Sequence, residues 1–453
     1  MKKRRYSLTL LYILFSTSIF AQQEVRAVWV ATIGGIDWPR SYAHDISSIN
    51  RQKRDFTDML DRLKAININT ILLQTRIRGT VIYPSAIEPW DGCMSGVPGK
   101  SPGYDPLRFA IDECHKRGMQ LHAWVVTIPL GKWNGAGCRQ MRQRIPKLLL
   151  HIGADGYMNP ELSQTSDYLA DICEEIIRKY DVDGIHLDYI RYPEQWNKKY
   201  DHNRGRKYIT DIVRNIHHRV KVIKPQVQLS CSPLGKYRDL QRYSSKGWNA
   251  YHTVCQEAQS WLRDGLMDQL YPMMYFQGDN FFPFAIDWAE NSYGKEIAAG
   301  LGIYFLDPHE GRWHIDEVKR QLNVIRSLGL GQCFFRAKFL LDNVQGLYDY
   351  LRVFNFLSCW KEEEEKDPSS DYHPAQMLAC DGYTMTLPEK GISLDADFVM
   401  VETLQGCTIA LLPYRSTTID VRSVPEGMYI IRSLGKKGSP HRLGFIQIKR
   451  NTK

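Results

Sequence analysis

The sequence predicts an α/β fold, a (β/α)8 TIM barrel followed by a small C-terminal all-β domain. Between residues 24 and 337, short and almost continuously apolar runs alternate with amphipathic stretches of helical period. Strands of a parallel sheet have this apolar pattern because both faces of the sheet are covered. From residue 381 on, short alternating runs separated by Gly and Pro are typical of small antiparallel sheets.

The first four strand-and-helix units follow one another at regular spacing. Gly118 ends the helix of the second unit, as expected of a C-terminal cap. We predict strands at 24–31, 69–76, 119–126 and 183–189, and helices at 54–68, 106–118 and 163–180.

The last four units complete the predicted barrel. An open doubly wound sheet is the structural alternative, but the segment TIGGIDWP after the first strand lacks the GxGxxG spacing of a phosphate-binding loop. We predict strands at 227–233, 267–276, 297–305 and 331–337, and helical segments at 206–225, 249–265, 284–294 and 315–330.

The chain has four predicted parts. Residues 1–21 carry four basic residues, then an apolar run and Ala21, the pattern of a signal peptide. Residues 22–358 form the barrel, 359–380 an acidic and polar linker, and 381–453 a small β-sandwich-like domain. We therefore expect an exported protein with no integral membrane segment once the signal peptide is removed.

Composition argues against several classes of partner. The formal net charge is +9, and removal of the four basic residues of the signal peptide lowers it to +5, too little to indicate nucleic acid. The ten cysteines show no CxxC spacing, so a structural zinc site is not indicated. We predict no metal and no cofactor.

Alternation along the fourth predicted strand places polar side chains inside the barrel. His186 and Asp188 share one face, whereas Ile185 and Leu187 share the face toward the helices. Burying polar groups without partners is costly, so we expect them to line a functional mouth at the strand ends. The same alternation points further side chains inward: Gln74, Arg76, His122, Trp124, Ser230, Ser232, Gln269, Tyr271 and Tyr275.

Aromatic residues are dense beside the predicted strand ends. Flat aromatic faces mixed with polar groups suit a sugar ring, so the expected partner is a polysaccharide. Carboxyl groups in the same region then indicate glycoside chemistry, in which one acid protonates the leaving oxygen while another attacks or activates water. Arg191 and His186 lie close enough in sequence to keep Asp188 ionised.

We predict Asp188 as the nucleophile or base, with Glu88 as the first candidate for the proton donor and Asp279 as the second. Each residue also has a structural alternative, since Asp188 could pair with Arg191 and Glu88 could pair locally. The predicted substrate-binding residues are Trp38, Arg76, Arg78, Trp90, His122, Trp124, His186, Tyr189, Arg191, Tyr271 and Tyr275.

Four long motifs resemble the glycosyl hydrolase-like family 10 domain, which includes divisome-associated glycosidases. In order they are EVRAVWVATIGGIDWP, NTILLQTRIRGTVIYPSAIEPW, SPGYDPLRFAIDECHKRGMQLHAW and YDVDGIHLDYIRYP. The resemblance runs from about residue 24 to about residue 350 and implies a barrel that cleaves peptidoglycan glycan strands. It places the family's strand-four acid on Asp188. Some relatives carry acids where this chain has Arg78 and Tyr189.

The C-terminal segment is similar to the β-rich sorting tails of Bacteroidetes secreted proteins, with Pro425, Gly427, Tyr429 and Arg432 in the spacing of their turn. This resemblance implies a Gram-negative bacterium, with the protein in the periplasm or at the cell surface. A plain accessory domain is the alternative for this segment.

These observations together predict an exported glycoside hydrolase acting on peptidoglycan or another complex polysaccharide by carboxylate chemistry. A different class competes with it, a carbohydrate-binding pseudoenzyme that keeps the cleft but has lost one acid. The residues at 78 and 189, which are not acidic in this chain, favour that alternative.

Overall fold

The structure is a computed structural model that describes most of the chain after the predicted signal peptide. Residues 1–21 and most of the predicted linker at 359–380 lie outside the described residues. The described residues are 24–194, 196, 201–241, 246–358, 377–388, 392, 396–403, 408–435 and 440–450.

Eight parallel strands form a closed barrel, which confirms the predicted fold class. Around the barrel the order is β1, β2, β3, β7, β8, β9, β10 and β11, and β11 pairs with β1 to close the ring. The strands described before residue 358 are, in chain order, β1 (Arg26–Val30), β2 (Thr70–Arg76), β3 (Gln120–Val126), β4 (Pro129–Lys132), β5 (Leu149–Ile152), β6 (Asp155–Met158), β7 (Gly184–Asp188), β8 (Gln228–Cys231), β9 (Gln269–Leu270), β10 (Glu296–Leu301) and β11 (Gly331–Phe334).

The helices lie between the strands. Three of the longer ones begin at acidic caps, because Asp45, Asp105 and Asp201 each accept a backbone N–H of the first turn. In the described part of the chain, none of the helices has the length and apolarity to cross a membrane. In chain order they are α1 (Ile46–Ala65), α2 (Gly92–Ser95), α3 (Pro106–Lys116), α4 (Ala136–Arg144), α5 (Ser163–Lys179), α6 (His202–Ile223), α7 (Ala250–Thr253), α8 (Ala258–Arg263), α9 (Phe282–Glu290), α10 (Ile315–Ser327), α11 (Ala337–Leu341) and α12 (Leu347–Ser358).

The sixth barrel strand, β9, is shorter than the predicted run at 267–276. Beyond Leu270, the pairing continues only as single bridges from Met273 to Leu234 and to Gly300. Pro272 explains the interruption, because proline has no N–H to donate to a neighbouring strand.

The barrel separates an outer apolar layer from an inner one. Ile185 and Leu187 belong to the large cluster between the strands and the helices. The ring of His186 instead contacts Trp29, at 6.0 Å between ring centroids, and Tyr271, at 5.1 Å, both members of the inner cluster. The alternation predicted for the fourth strand is therefore present, with its polar face toward the barrel axis.

A small antiparallel sheet interrupts the alternation after β3. Strands β4, β6 and β5 form it in that order, and α4 lies between β4 and β5. The sequence analysis assigned no element to this region. Together these elements form the inserted subdomain, residues 129–158, at the C-terminal end of the barrel strands.

Asp37 joins the loops that follow the first and last barrel strands. Its carboxylate accepts the N–H of Ala31 at 2.8 Å and the N–H of Lys338 at 3.0 Å, and it pairs with the Arg336 guanidinium at 2.6 Å. Burial raises the pKa of Asp37, while Arg336 acts against that increase. These contacts give this loop acid a structural role at the seam of the barrel.

The C-terminal residues form small antiparallel sheets, as predicted. One sheet has the order β14, β13, β16, β17, and β12 pairs with β15. They bury an apolar cluster of their own, which includes Val399, Ile431 and Ile446. The strands are β12 (Thr384–Thr386), β13 (Ala396–Thr403), β14 (Thr408–Pro413), β15 (Thr418–Asp420), β16 (Gly427–Gly435) and β17 (Pro440–Ile448).

Candidate active site

Asp188 ends β7 and lies at the C-terminal mouth of the barrel. Trp124 Nε1 donates a hydrogen bond to its Oδ2 at 3.1 Å. Ser232 Oγ and the backbone N–H of Tyr189 donate to Oδ1 at 2.8 and 2.7 Å. These donors come from β3, from the end of β8 and from the loop after β7. Because all of them donate, the arrangement suits an ionised carboxylate, which can only accept.

Arg191 supplies positive charge beside Asp188. Burial raises the pKa of Asp188, which is 5% exposed, while the charge of Arg191 and the hydrogen bonds act to lower it. The Arg191 guanidinium lies 4.1 Å from the centroid of the Tyr189 ring and pairs with Glu194 at 2.8 Å. Its Nη1 is buried and has no hydrogen-bond partner among the described residues. Arg191 therefore connects the surroundings of Asp188 with a second carboxyl group on the same loop.

Tyr189 turns the chain at the strand end. Its φ of 53° lies in the left-handed region, which is uncommon for residues other than glycine. The turn is closed by the N–H of Arg191, which donates to the carbonyl of Tyr189 at 2.8 Å. Strained backbone of this kind is concentrated at functional sites because the surrounding structure has to hold it in place.

His186 lies deeper in the barrel and forms the floor beneath Asp188. Trp29 Nε1 donates to its Nε2 at 3.3 Å, so we assign the ring proton to Nδ1, which lies 3.0 Å from Ser230 Oγ. Burial lowers the pKa of His186 well below its usual range, and the ring is neutral at ordinary pH. It is fully buried, so its predicted contact with substrate is not available in this structure.

His122 occupies a similar buried position on β3. Its Nε2 lies 3.3 Å from Gln120 Oε1, and its Nδ1 has no partner among the described residues. Burial lowers the pKa of His122 to about 4. A Cβ placed at Gly184 on the neighbouring strand would lie 2.6 Å from the ring, so the histidine fills space that the glycine leaves open. The geometry makes His122 part of the barrel interior.

Arg76 and Glu88 form a buried ion pair. Arg76 Nε and Nη2 donate to the two carboxylate oxygens of Glu88 at 2.8 and 2.7 Å, and Tyr168 donates to Glu88 Oε1 at 2.9 Å. The side chains are 0% and 1% exposed. The structure thus does not support Glu88 as a proton donor or Arg76 as a substrate contact, because both side chains are engaged by other protein groups and closed to solvent.

Two predicted aromatic contacts are also closed to solvent. Trp38 is 0% exposed, donates from Nε1 to the carbonyl of Gln52 at 2.9 Å and packs against Phe56. Tyr271 is 1% exposed and donates to Gln269 Oε1 at 2.9 Å inside the barrel. The two aromatic rings therefore pack in the apolar layers of the barrel and do not form a ligand-binding surface.

The other predicted residues lie in loops near the mouth. Tyr275 packs beside Phe335 and Tyr304. Burial raises the pKa of Tyr275 well above its usual range, and the charge of Asp188 acts in the same direction. Trp90 is half-buried in the loop after β2. Asp279 is exposed in the turn Gly278–Asn280 after β9 and does not line the cavity described next.

A cavity of about 360 Å³ lies between the loop after β7, which contributes Tyr189 and Glu194, and the inserted subdomain. Asp188 precedes Tyr189 in the chain and does not itself line this cavity. Its wall contains two carboxyl groups, one guanidinium and three aromatic rings, a composition suited to a sugar. The charged and aromatic residues of the wall are Arg78, Asp155, Tyr157, Tyr189, Glu194 and Trp248.

Glu194, Asp155, Tyr157 and Trp248 are site residues that the sequence analysis missed. The run LLLHIGADGYM carries a hairpin signal, two short apolar segments separated by a turn that begins with glycine, and it would have placed Asp155 and Tyr157 on a strand. Glu194 follows Arg191 at a spacing that allows an ion pair. For Trp248, the one sequence signal of a functional role is its position in a polar loop after the fifth barrel strand.

Metal-binding and thiol chemistry have no arranged site among the described residues. No three His, Cys, Asp or Glu side chains in that part of the chain come together as metal ligands. Of the eight cysteines within it, all but Cys380 are buried.

The chain is similar to two glycosyl hydrolases along most of its length. It is 28% identical over 373 residues to glycosyl hydrolase YngK of Bacillus subtilis, which covers 74% of this chain and 72% of that protein. It is 29% identical over 357 residues to glycosyl hydrolase DigH of Escherichia coli strain K12, which covers 68% of this chain and 81% of the relative.

Solved structures share the fold at low identity. An alpha-amylase from Geobacillus thermoleovorans, complexed with acarbose, superposes with a TM-score of 0.51 at 12% identity, covering 94% of this chain and 99% of that chain. Alpha-L-fucosidase isoenzyme 2 from Paenibacillus thiaminolyticus gives 0.50 at 14% identity and covers 80% of this chain, which spans 53% of the fucosidase. The glycosyl hydrolase-like 10 family matches residues 24–208 and 197–305, more than half of the sequence, so the chain belongs to the glycosyl hydrolase-like 10 family.

Proposed function

We propose that this chain is an exported glycoside hydrolase that cleaves glycan strands of peptidoglycan or another complex polysaccharide. The observation that carries the proposal is Asp188, an acid held by hydrogen-bond donors at the mouth of the barrel, where TIM-barrel active sites lie. Membership of a glycosyl hydrolase-like family supports the reaction class. The signal-peptide pattern at residues 1–21 supports export.

Asp188 acts as the nucleophile or base. Its carboxylate accepts from Trp124, Ser232 and the backbone of Tyr189, and these donors support the ionised form that either role needs. Burial works in the other direction by raising the pKa, which makes the carboxylate more basic than an exposed one. A buried, hydrogen-bonded carboxylate of this kind can stabilise the positive charge that develops on a sugar ring.

Glu194 is the carboxyl group that we assign as the partner of Asp188. It lines the cavity, its side chain is 24% exposed, and it pairs with Arg191, the same cation that lowers the pKa of Asp188. A glycosidase requires two carboxyl groups on either side of the scissile bond. Glu88 is closed to solvent and Asp279 lies outside the cavity wall, so both are less suited to this role.

A carbohydrate-binding pseudoenzyme is the second candidate. Asp188 is almost fully buried, and its oxygens are already engaged by protein donors. Arg78 and Tyr189 also occupy positions at which some relatives carry acids. If this candidate is correct, the mature protein binds glycan and releases no products.

Incubation of the purified mature protein with peptidoglycan, with and without stem peptides, tests the proposal, with products analysed by mass spectrometry. Asp188→Asn is expected to lower turnover by at least ~100-fold, since a positioned carboxyl group contributes on that order. Its fold is expected to remain intact, because an amide keeps the size of the side chain. Circular dichroism and thermal unfolding check this second point.

Asp181→Asn is the matched control. Asp181 precedes the same strand at the opposite end of the barrel, and its side chain is 80% exposed. This variant is expected to keep wild-type turnover. A folded and fully active Asp188→Asn protein would refute the assignment, and Glu194→Gln in the same assay tests the partner.

A further inference from the structure

We propose that the cavity lined by Tyr189, Glu194 and the inserted subdomain binds a sugar that carries a carboxylate, and that Arg78 is the residue that selects it. This inference rests on the proposed function for the sugar and adds the chemical class that the site prefers. It follows from the charges of the cavity wall, from the way in which Arg78 is held, and from an exposed aromatic side chain in the same wall.

Arg78 is the charged residue of the cavity wall whose side chain lacks a partner among the described residues. Asp155 pairs with Lys132 at 3.0 Å, and Glu194 pairs with Arg191 at 2.8 Å. Arg78 is exposed, and its guanidinium forms no ion pair or hydrogen bond with any described residue. A guanidinium presents its N–H donors in a planar fork that matches the two oxygens of a carboxylate. The cavity therefore offers one unused carboxylate-binding group.

The inserted subdomain holds Arg78 in place. A Cβ placed at Gly131, where φ is +75°, would lie 3.3 Å from Cβ and Cδ of Arg78, so the stem of the arginine lies on this glycine. A Cβ placed at Gly137 would lie 2.6 Å from the carbonyl oxygen of Gly79 and 2.7 Å from that of Arg78. The loop after β2 is thus packed between β4 and α4. A guanidinium whose backbone and stem are already positioned loses less freedom when it binds a ligand.

Trp248 provides an aromatic face in the same cavity. It is 49% exposed, although the turn around it is well fixed. Asp239 accepts the N–H of Gly247 at 3.1 Å and the side-chain amide of Asn249 at 3.2 Å, on either side of the tryptophan. An exposed indole on an ordered turn suits the C–H face of a sugar ring, because it supplies a large contact area without a further loss of side-chain freedom.

The charges of the wall favour a ligand with a single negative group. Asp155 and Glu194 would repel a polyanion, whereas one carboxylate can pair with Arg78. The volume of about 360 Å³ lies at the lower end of the ~300–1,000 Å³ range of small-molecule sites, so the cavity takes a short segment of a glycan.

The test measures binding in proteins that all carry Asp188→Asn, so that no probe is cleaved. The probes are peptide-free peptidoglycan glycan strands and the same strands after chemical reduction of their carboxyl groups to alcohols. Calorimetry is expected to show about 10-fold tighter binding of the carboxylate form, the usual size of a charge-assisted contact. Adding Arg78→Gln is expected to remove this preference and leave binding of the reduced strands unchanged.

Two further variants separate the contributions. Arg139→Gln removes an exposed arginine of α4 outside the cavity wall and is expected to keep the preference, which excludes a general effect of positive charge. Trp248→Ala is expected to weaken the binding of both probes by the same factor, because stacking of the indole on a sugar ring does not depend on the carboxylate.

Three results would each overturn the inference. They are equal affinity for the two probes, an unchanged preference for the carboxylate form in the Arg78→Gln protein, and no binding of either probe. Failure of the proposed function has a different signature. The chain with Asp188 intact would then release no products, while the binding preference and its loss in Arg78→Gln would still be measured.

Discussion

Glu88 and Arg76 form an ion pair in which almost every polar atom has a partner. Arg76 donates to both oxygens of Glu88 and also to the carbonyls of Val126 and Thr127. Removing two charges from water is costly, and a buried pair persists only when such hydrogen bonds compensate. The pair therefore connects the loop after β2 to the end of β3.

Glu88→Gln is expected to destabilise the protein by about 3–5 kcal/mol, because it leaves the Arg76 charge buried without compensation. The free energy of unfolding in denaturant measures this effect. Any protein that remains folded is expected to keep its turnover, in contrast to a variant that lacks a proton donor.

Glu113→Gln is the control for this substitution. Glu113 pairs with Lys116 and Arg117 on the surface of α3, and such pairs contribute about 1 kcal/mol or less. A stable but inactive Glu88→Gln protein would contradict the structural role of Glu88 and would support its predicted role as the proton donor.

The direction of a side chain on a strand was easier to predict than its role. Alternation correctly placed His186 and Asp188 toward the barrel axis, because a strand exposes its two faces in turn. Alternation could not distinguish a residue buried inside the barrel from one that contacts a ligand, since both side chains point inward. Trp38 illustrates the same limit for loops, because burial under α1 depends on packing that a local pattern does not contain.

At the level of elements, α4 determines where the loop after β2 lies. Gly137, in its second position, allows the helix to approach the carbonyls of Arg78 and Gly79. In a helix that has no close neighbour, alanine would be preferred over glycine by about 1 kcal/mol. Glycine at position 137 is therefore explained by the close contact between α4 and the backbone of the loop after β2, and not by helix propensity.

Gly137→Ala is expected to destabilise the protein by about 1–3 kcal/mol despite that preference, because the new methyl group would overlap two backbone oxygens. The loop is expected to move, so affinity for the carboxylated glycan should fall as well. Thermal unfolding and calorimetry measure the two effects. Gln143→Ala, at an exposed site of the same helix, serves as the control. A stabilised Gly137→Ala variant with full affinity would contradict this role.

The elements that could be predicted are those with a buried apolar pattern. All eight barrel strands were anticipated because apolar strands between helices have a clear signal. The inserted subdomain was not, because β4, β5 and β6 are four residues each and lie in a segment rich in glycine and basic residues. The hairpin signal of LLLHIGADGYM covers only β5 and β6, and their pairing with β4, which lies on the other side of α4, is not visible in any single segment.

For the whole molecule, the barrel and the C-terminal sheets bury separate apolar clusters. The barrel cluster draws on residues between Val28 and Phe354, and the C-terminal cluster on residues between Leu378 and Ile448. Among the described residues, neither cluster includes a side chain of the other region, as expected of regions that fold independently.

A chain that ends at Ser358 is expected to keep the barrel fold, because the barrel cluster is complete before that residue. Calorimetric unfolding should show the barrel transition shifted by less than about 4 °C, the change that ~1 kcal/mol produces in a large domain. The full chain should show an additional transition for the C-terminal sheets. Loss of cooperative unfolding in the shortened chain would show that the C-terminal residues belong to the same folding unit.

The contact between the first and last barrel strands has a consequence for biogenesis. β1 can pair with β2 early, but its other edge stays open until β11 is available, and the Asp37 contacts also require Arg336 and Lys338. Pairings this distant in sequence form late. If the chain is exported as proposed, the ring stays incomplete until nearly the entire barrel has crossed the membrane, so a partly translocated chain lacks the complete mouth of the barrel at which the proposed site lies.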